Sequence, residues 1–113
     1  MANEFEALST LDRTGLIKRM AEELPDIRKK LNAKVENLAD KIGMEDSRLK
    51  DIESGKFDMI WSEYMSILFV IRNNDIGRGI VESKGLFPDV LKKVMSANRN
   101  AHPPVTESAK FGF

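Results

Sequence analysis

Two short helical patterns separated by a single glycine constrain the fold of this chain more than any other feature. Apolar residues of the first pattern recur at three- and four-residue steps, which places them along one side of a helix. They are Val35, Leu38, Ala39 and Ile42. Gly43 follows, and glycine closes helices because it enters the left-handed backbone region without steric cost. The first pattern therefore predicts a helix over Val35–Ile42.

The second pattern begins after a short turn. Either Glu45 or Asp46 can cap a helix by accepting backbone amide hydrogens, and Leu49 and Ile52 then give a three-residue apolar step. The predicted helix, Asp46–Glu53, is barely two turns long. Two short helices joined by a glycine turn are the description of a helix–turn–helix.

Helical spacing also predicts helices on both sides of this motif. Apolar residues between positions 14 and 31 follow one helix face. Pro25 interrupts them, and because proline lacks an amide hydrogen and clashes with the preceding turn, we expect either a kinked helix or two segments with Pro25 opening the second. Further helices are predicted from Trp61, around Ile80 and from Pro88. The expected fold class is all-α, with a C-terminal tail.

We expect the chain to have four parts. We expect an N-terminal extension at 1–14, the helix–turn–helix domain at 15–72, a C-terminal helical extension at 73–96 and a mobile tail at 97–113. Residues 67–71 are apolar around nearly the whole helix. Either the later helices cover this segment or a second subunit does, so a homodimer is one of two open alternatives.

Composition limits the possible functions. Basic and acidic residues both number 18, so no global positive field draws the chain to nucleic acid or to an anionic membrane. The chain has no cysteine and one histidine, His102, which argues against disulfides and the common metal sites. Residues 67–71 form the longest apolar run, far short of the roughly 20 residues that span a bilayer. We expect a soluble cytoplasmic protein without a membrane partner.

Catalytic patterns are missing from the sequence. No nucleophile with a base, metal cluster or phosphate loop can be assembled with recognisable spacing. The stretch Gly77-Arg78-Gly79 lacks the full glycine pattern and the preceding strand of a dinucleotide-binding loop. We therefore expect no enzymatic activity, no metal and no cofactor.

Two segments of the motif carry a more specific signal. They are residues 38–44, Leu-Ala-Asp-Lys-Ile-Gly-Met, and residues 49–56, Leu-Lys-Asp-Ile-Glu-Ser-Gly-Lys. They resemble the core signature of the Cro and lambda-repressor-like helix–turn–helix family of bacterial and phage regulators, of the xenobiotic-response-element type. Residues 24–28 and 61–64 are also similar to this family, so the resemblance spans roughly 15–72.

The resemblance implies a compact bundle of about five helices. It also implies a sequence-specific DNA-binding regulator of transcription, with the helix at Asp46–Glu53 in the major groove of double-stranded DNA. It gives seven candidate DNA-binding residues: Lys34, Asp46, Ser47, Arg48, Lys50, Asp51 and Lys56. Arg28 and Glu53 match family positions that pair across the core, so the resemblance implies a structural salt bridge between them.

The charge of the predicted helix Asp46–Glu53 supports an alternative to DNA binding. Residues 45–53 hold four acidic against two basic side chains, whereas attraction to phosphate supplies most nonspecific DNA affinity. The family usually has a capping serine and a phosphate-contacting glutamine at the positions of Lys34 and Val35. A helix–turn–helix reused as a protein-interaction module, with an acidic face for a basic partner, is therefore the second hypothesis.

Overall fold

A computed structural model describes the backbone of residues 11–101 and the side chains of residues 11–96. Within these residues six helices follow one another: α1 (Arg13–Lys30), α2 (Val35–Ile42), α3 (Asp46–Glu53), α4 (Trp61–Arg72), α5 (Asp75–Ser83) and α6 (Asp89–Ala101). No strand occurs within residues 11–101. The predicted all-α class is confirmed, with six helices in the described part of the chain against about five expected.

The helices belong to two units. Residues 12–87, with α1 to α5, form one unit, and α6 belongs to the other. The backbone amides of Leu91 and Lys92 donate to the carbonyl of Pro88, which starts α6. Most of the predicted tail, including His102, lies outside the described residues. Within the described part of the chain, no helix combines the length and apolar character needed to cross a membrane.

Helix α1 is continuous through Pro25, so the alternative of two separate segments is wrong. Its start is capped by the Asp12 carboxylate, which accepts a hydrogen bond of 2.9 Å from the Gly15 amide. Apolar residues on both sides of the proline are buried: Leu16, Met20, Leu24 and Ile27. This packing keeps the two halves in one helix despite the hydrogen bond that Pro25 cannot donate.

The turn between α2 and α3 has the conformation that its glycine predicts. Gly43 has a φ of 69°, in the left-handed region. The Met44 amide then donates to the Ala39 carbonyl at 2.9 Å, which satisfies a carbonyl at the end of α2. Ala39 is fully buried, and α2 packs against α3. Glu45 occupies the cap position of α3, but its side chain makes no capping hydrogen bond.

Helix α4 is contacted by α1, α2 and α5. Ile67, Leu68 and Ile71 are buried within the chain and are therefore not available to a second subunit. Tyr64 is also buried, and its hydroxyl donates to the Leu86 carbonyl. In contrast, Phe69 is 44% exposed. The apolar run thus contributes mainly to the core of one chain.

Candidate nucleic-acid interface

Helix α3 presents two chemically different sides. Leu49 and Ile52 are fully buried, and the helix packs against α1 and α2. Asp46, Ser47 and Lys50 are exposed. Because residues three and four apart share a helix face, these polar residues form one surface opposite the buried pair. We call Asp46, Ser47 and Lys50 the α3 outer face.

Helix α3 is tied to α1 by an ion pair between Arg28 and Glu53. The Arg28 Nε and Nη2 atoms each lie 2.7 Å from a carboxylate oxygen of Glu53, and Nη1 donates to the Ala33 carbonyl at 3.2 Å. The hydrogen bond to Glu53 raises the pKa of the Arg28 guanidinium, against the opposing effect of its burial. This two-bond geometry fixes the end of α3 relative to α1.

Arg48, a predicted DNA-binding residue, is directed to the start of α4 instead. Its Nε and Nη2 atoms donate to the Glu63 carboxylate at 3.2 and 3.0 Å, and Nη2 also donates to the Asp58 carbonyl at 3.1 Å. Glu63 accepts a further hydrogen bond of 2.8 Å from the Ile60 amide. The structure therefore separates Arg48 from the α3 outer face and gives its guanidinium a role between helices.

The pair of Arg48 and Glu63 predicts a dependence of stability on pH. The hydrogen bond from Arg48 lowers the pKa of Glu63 below its ordinary 4.5, so the stabilisation is complete above about pH 4.5 and is lost as pH falls through the folded-state pKa. Glu63→Gln should therefore have a lower free energy of unfolding than the parent at neutral pH. The difference between the two proteins should become smaller as pH falls. Denaturant melts at several pH values measure this. Glu22→Gln, on the exposed surface of α1, is the control. If the difference in free energy of unfolding between Glu63→Gln and the parent does not change with pH, the pair does not make stability depend on pH.

Two of the predicted DNA-binding residues, Lys34 and Lys56, lie at the edges of the motif. Lys34 precedes α2 and makes no side-chain capping bond; its backbone amide donates to the Asn37 Oδ1 atom at 3.0 Å. Lys56 follows α3, with its Nζ atom 5.6 Å from the centre of the exposed Phe57 ring. Both lysine side chains are exposed and can reach an anionic surface.

Lys50 has one weak partner. Its Nζ atom lies 3.9 Å from the Glu36 carboxylate, and both side chains are more than half exposed. Exposed pairs of this kind exchange readily with solvent or with another partner. Asp51 is half-buried, and its carbonyl accepts the amide hydrogens of Lys56 and Phe57, so it lies at the turn that ends α3.

An open depression lies between the end of α2 and the start of α3. The acidic residues of its lining are Asp40, Glu45 and Asp46, and Lys50 is the one basic residue. The structure thus brings Asp46, Ser47 and Lys50 together at one surface, with Lys34 and Lys56 near the ends of the motif. Among the described residues, no group of His, Cys, Asp or Glu could hold a metal ion.

No protein-family model, curated protein or solved structure matches this chain. The likeness to Cro and lambda-repressor-like regulators therefore rests on the sequence motifs and their spacing.

Proposed function

We propose that this chain is a sequence-specific DNA-binding regulator of transcription, with α3 in the major groove of double-stranded DNA. The observation that carries the proposal is the placement of α3. Its buried side is held by α1 and α2, while the α3 outer face projects three side chains that can form hydrogen bonds with base edges. Lys34 and Lys56 would contact phosphates beside the groove.

Salt-dependent binding to genomic DNA fragments tests the proposal. Counterion release should make the logarithm of the association constant fall linearly with the logarithm of the salt concentration. Lys34→Gln and Lys56→Gln should each reduce this slope by about 1. Lys18→Gln is the control, because Lys18 lies roughly 15 Å along α1 from Arg28 and outside the motif. If no fragment is retained above random DNA at low salt, the proposal is wrong.

A bulky label tests the placement of α3 in the same assay. The chain has no cysteine, so Ser47→Cys and Ser83→Cys each create a single labelling position. A maleimide dye at position 47 should abolish DNA binding by steric exclusion from the groove. The same dye at position 83, at the end of α5, should leave binding unchanged. Equal affinities for the two labelled proteins would exclude α3 from the groove.

A homodimer is part of this proposal. A single helix–turn–helix contacts only a few base pairs, so useful specificity requires two copies on half-sites about one DNA turn apart. Sites selected in the binding assay should therefore contain an inverted repeat with that spacing. Because Ile67, Leu68 and Ile71 are buried, any contact between copies must use other residues.

A second candidate function is the binding of a basic protein partner. The carboxylates of Asp40, Glu45 and Asp46 around the depression favour it, since like charges repel DNA phosphates. In that case the dye at position 47 should block a stoichiometric complex with a lysine-rich partner, while the low-salt DNA assay remains negative. Retention of DNA would favour the first proposal.

A further inference from the structure

Asp46 and Lys50 are four residues apart on α3 and point to a particular base pair as the DNA target. This inference rests on the proposed function. Side chains at this spacing lie about 5–6 Å apart at their Cβ atoms, a distance of one to two base-pair steps. Both side chains are exposed, and the Asp46 carboxylate has no ion-pair or hydrogen-bond partner within the described residues. Both side chains can therefore form hydrogen bonds with base edges at the same time.

The arginine in this helix is already engaged elsewhere. Arg48 could form two hydrogen bonds with guanine, but its Nε and Nη2 atoms donate to Glu63 and to the Asp58 carbonyl. Lys50, with its single weak contact to Glu36, is therefore the cation of the α3 outer face. Asp46 supplies the acceptor.

The two side chains have complementary hydrogen-bonding capacity. An ionised aspartate only accepts hydrogen bonds, and a lysine ammonium only donates them. In the major groove a G·C pair presents the guanine acceptors N7 and O6 side by side and the cytosine N4 amino donor beyond them. An A·T pair instead places its single donor between two acceptors, which would repel a carboxylate from both sides.

From this match we infer that the α3 outer face selects G·C pairs. Asp46 accepts a hydrogen bond from a cytosine N4 amino group, and Lys50 donates to guanine N7 or O6 on the same or the neighbouring pair. Ser47, beside them, can donate or accept and adds little selectivity.

Selection from a pool of random duplexes tests the inference. The parent should enrich cytosine over other bases at one position and guanine at the same or the adjacent pair, with a preference of about 5- to 150-fold. Asp46→Asn should change the cytosine preference to adenine, because an amide can both donate and accept at adenine N6 and N7. Lys50→Met should lose the guanine preference. Replacing that guanine by 7-deazaguanine separates the two acceptors, because it weakens parent binding only if Lys50 donates to N7.

Asp40→Asn is the matched control. It removes the same charge from the same depression but lies on α2, so it should raise affinity for all duplexes without changing base preference. If the parent enriches a sequence and both α3 variants enrich the same one, the inference is overturned while the proposed function stands. If the parent shows neither enrichment nor salt-dependent binding, the proposed function fails with it.

Discussion

Substituting Gly77 by alanine should lower the free energy of unfolding by about 3 kcal/mol. Gly77 is buried in the first turn of α5, where its amide donates to the Asn74 side chain at 3.0 Å. A Cβ atom at this position would lie 2.1 Å from the Ile71 carbonyl oxygen and 2.9 Å from the Ile71 Cγ2 atom. Because the closer of these atoms belongs to the backbone, the end of α4 and the start of α5 must move apart.

Gly79→Ala is the control within the same helix. A Cβ atom there meets nothing within 4 Å, so this substitution should stabilise the protein by about 0.5–1 kcal/mol through the higher helix propensity of alanine. Denaturant titrations of the two variants therefore should shift in opposite directions. A Gly77→Ala variant that unfolds at the parent midpoint would show that α4 and α5 do not approach this closely.

Gly77 illustrates what the sequence pattern could not provide. The stretch Gly77-Arg78-Gly79 looks like two equivalent glycines, yet only one of them meets a neighbouring helix end. That difference depends on how α5 packs against α4, which is a property of the tertiary structure. The bounds of α2 and α3, in contrast, depend on apolar spacing and on the conformation of Gly43, and the prediction matches both helices.

Local rules did not decide every feature of the helices. Pro25 permits two segments, but burial of Met20, Leu24 and Ile27 keeps α1 in one piece. Glu45 is one of the two predicted capping residues; it occupies the cap position, yet its carboxylate makes no capping bond. The sequence pattern thus predicts where the helix and the cap position lie, but not which contacts their side chains make.

The ion pairs of the candidate site also combine local contacts, which the sequence pattern predicts, with tertiary contacts, which it does not. Glu63 at the third position of α4 accepts from the Ile60 amide, a local contact typical of helix starts. Its pairing with Arg48 depends on the path of residues 54–60, which no helical pattern predicts. The family resemblance predicts Arg48 as a DNA-binding residue, whereas the structure directs its guanidinium to Glu63. Arg28 and Glu53 are separated by 25 residues, and only the family resemblance brought them together.

Replacing Arg28 by alanine should destabilise the protein by about 3 kcal/mol. The side chains of Arg28 and Glu53 are only 20% and 10% exposed, so the substitution leaves a largely buried carboxylate without its two hydrogen bonds. The double variant Arg28→Ala with Glu53→Ala should lose less than the sum of the two single losses, because no unpaired charge remains. Denaturant titrations of the parent and the three variants give this comparison.

Arg78→Ala distinguishes the loss of a buried pair from the loss of any arginine. Its partner Asp75 is 3.6 Å away, and the two side chains are 53% and 95% exposed, so the unfolding midpoint should change little. If Arg28→Ala keeps the parent midpoint, the pair does not hold α3 against α1. Arg28 donates to Glu53 and the Ala33 carbonyl, away from the α3 outer face. Under the proposed function, the substitution should therefore lower stability without removing a direct contact to DNA, and the folded variant should keep the base preference of the parent.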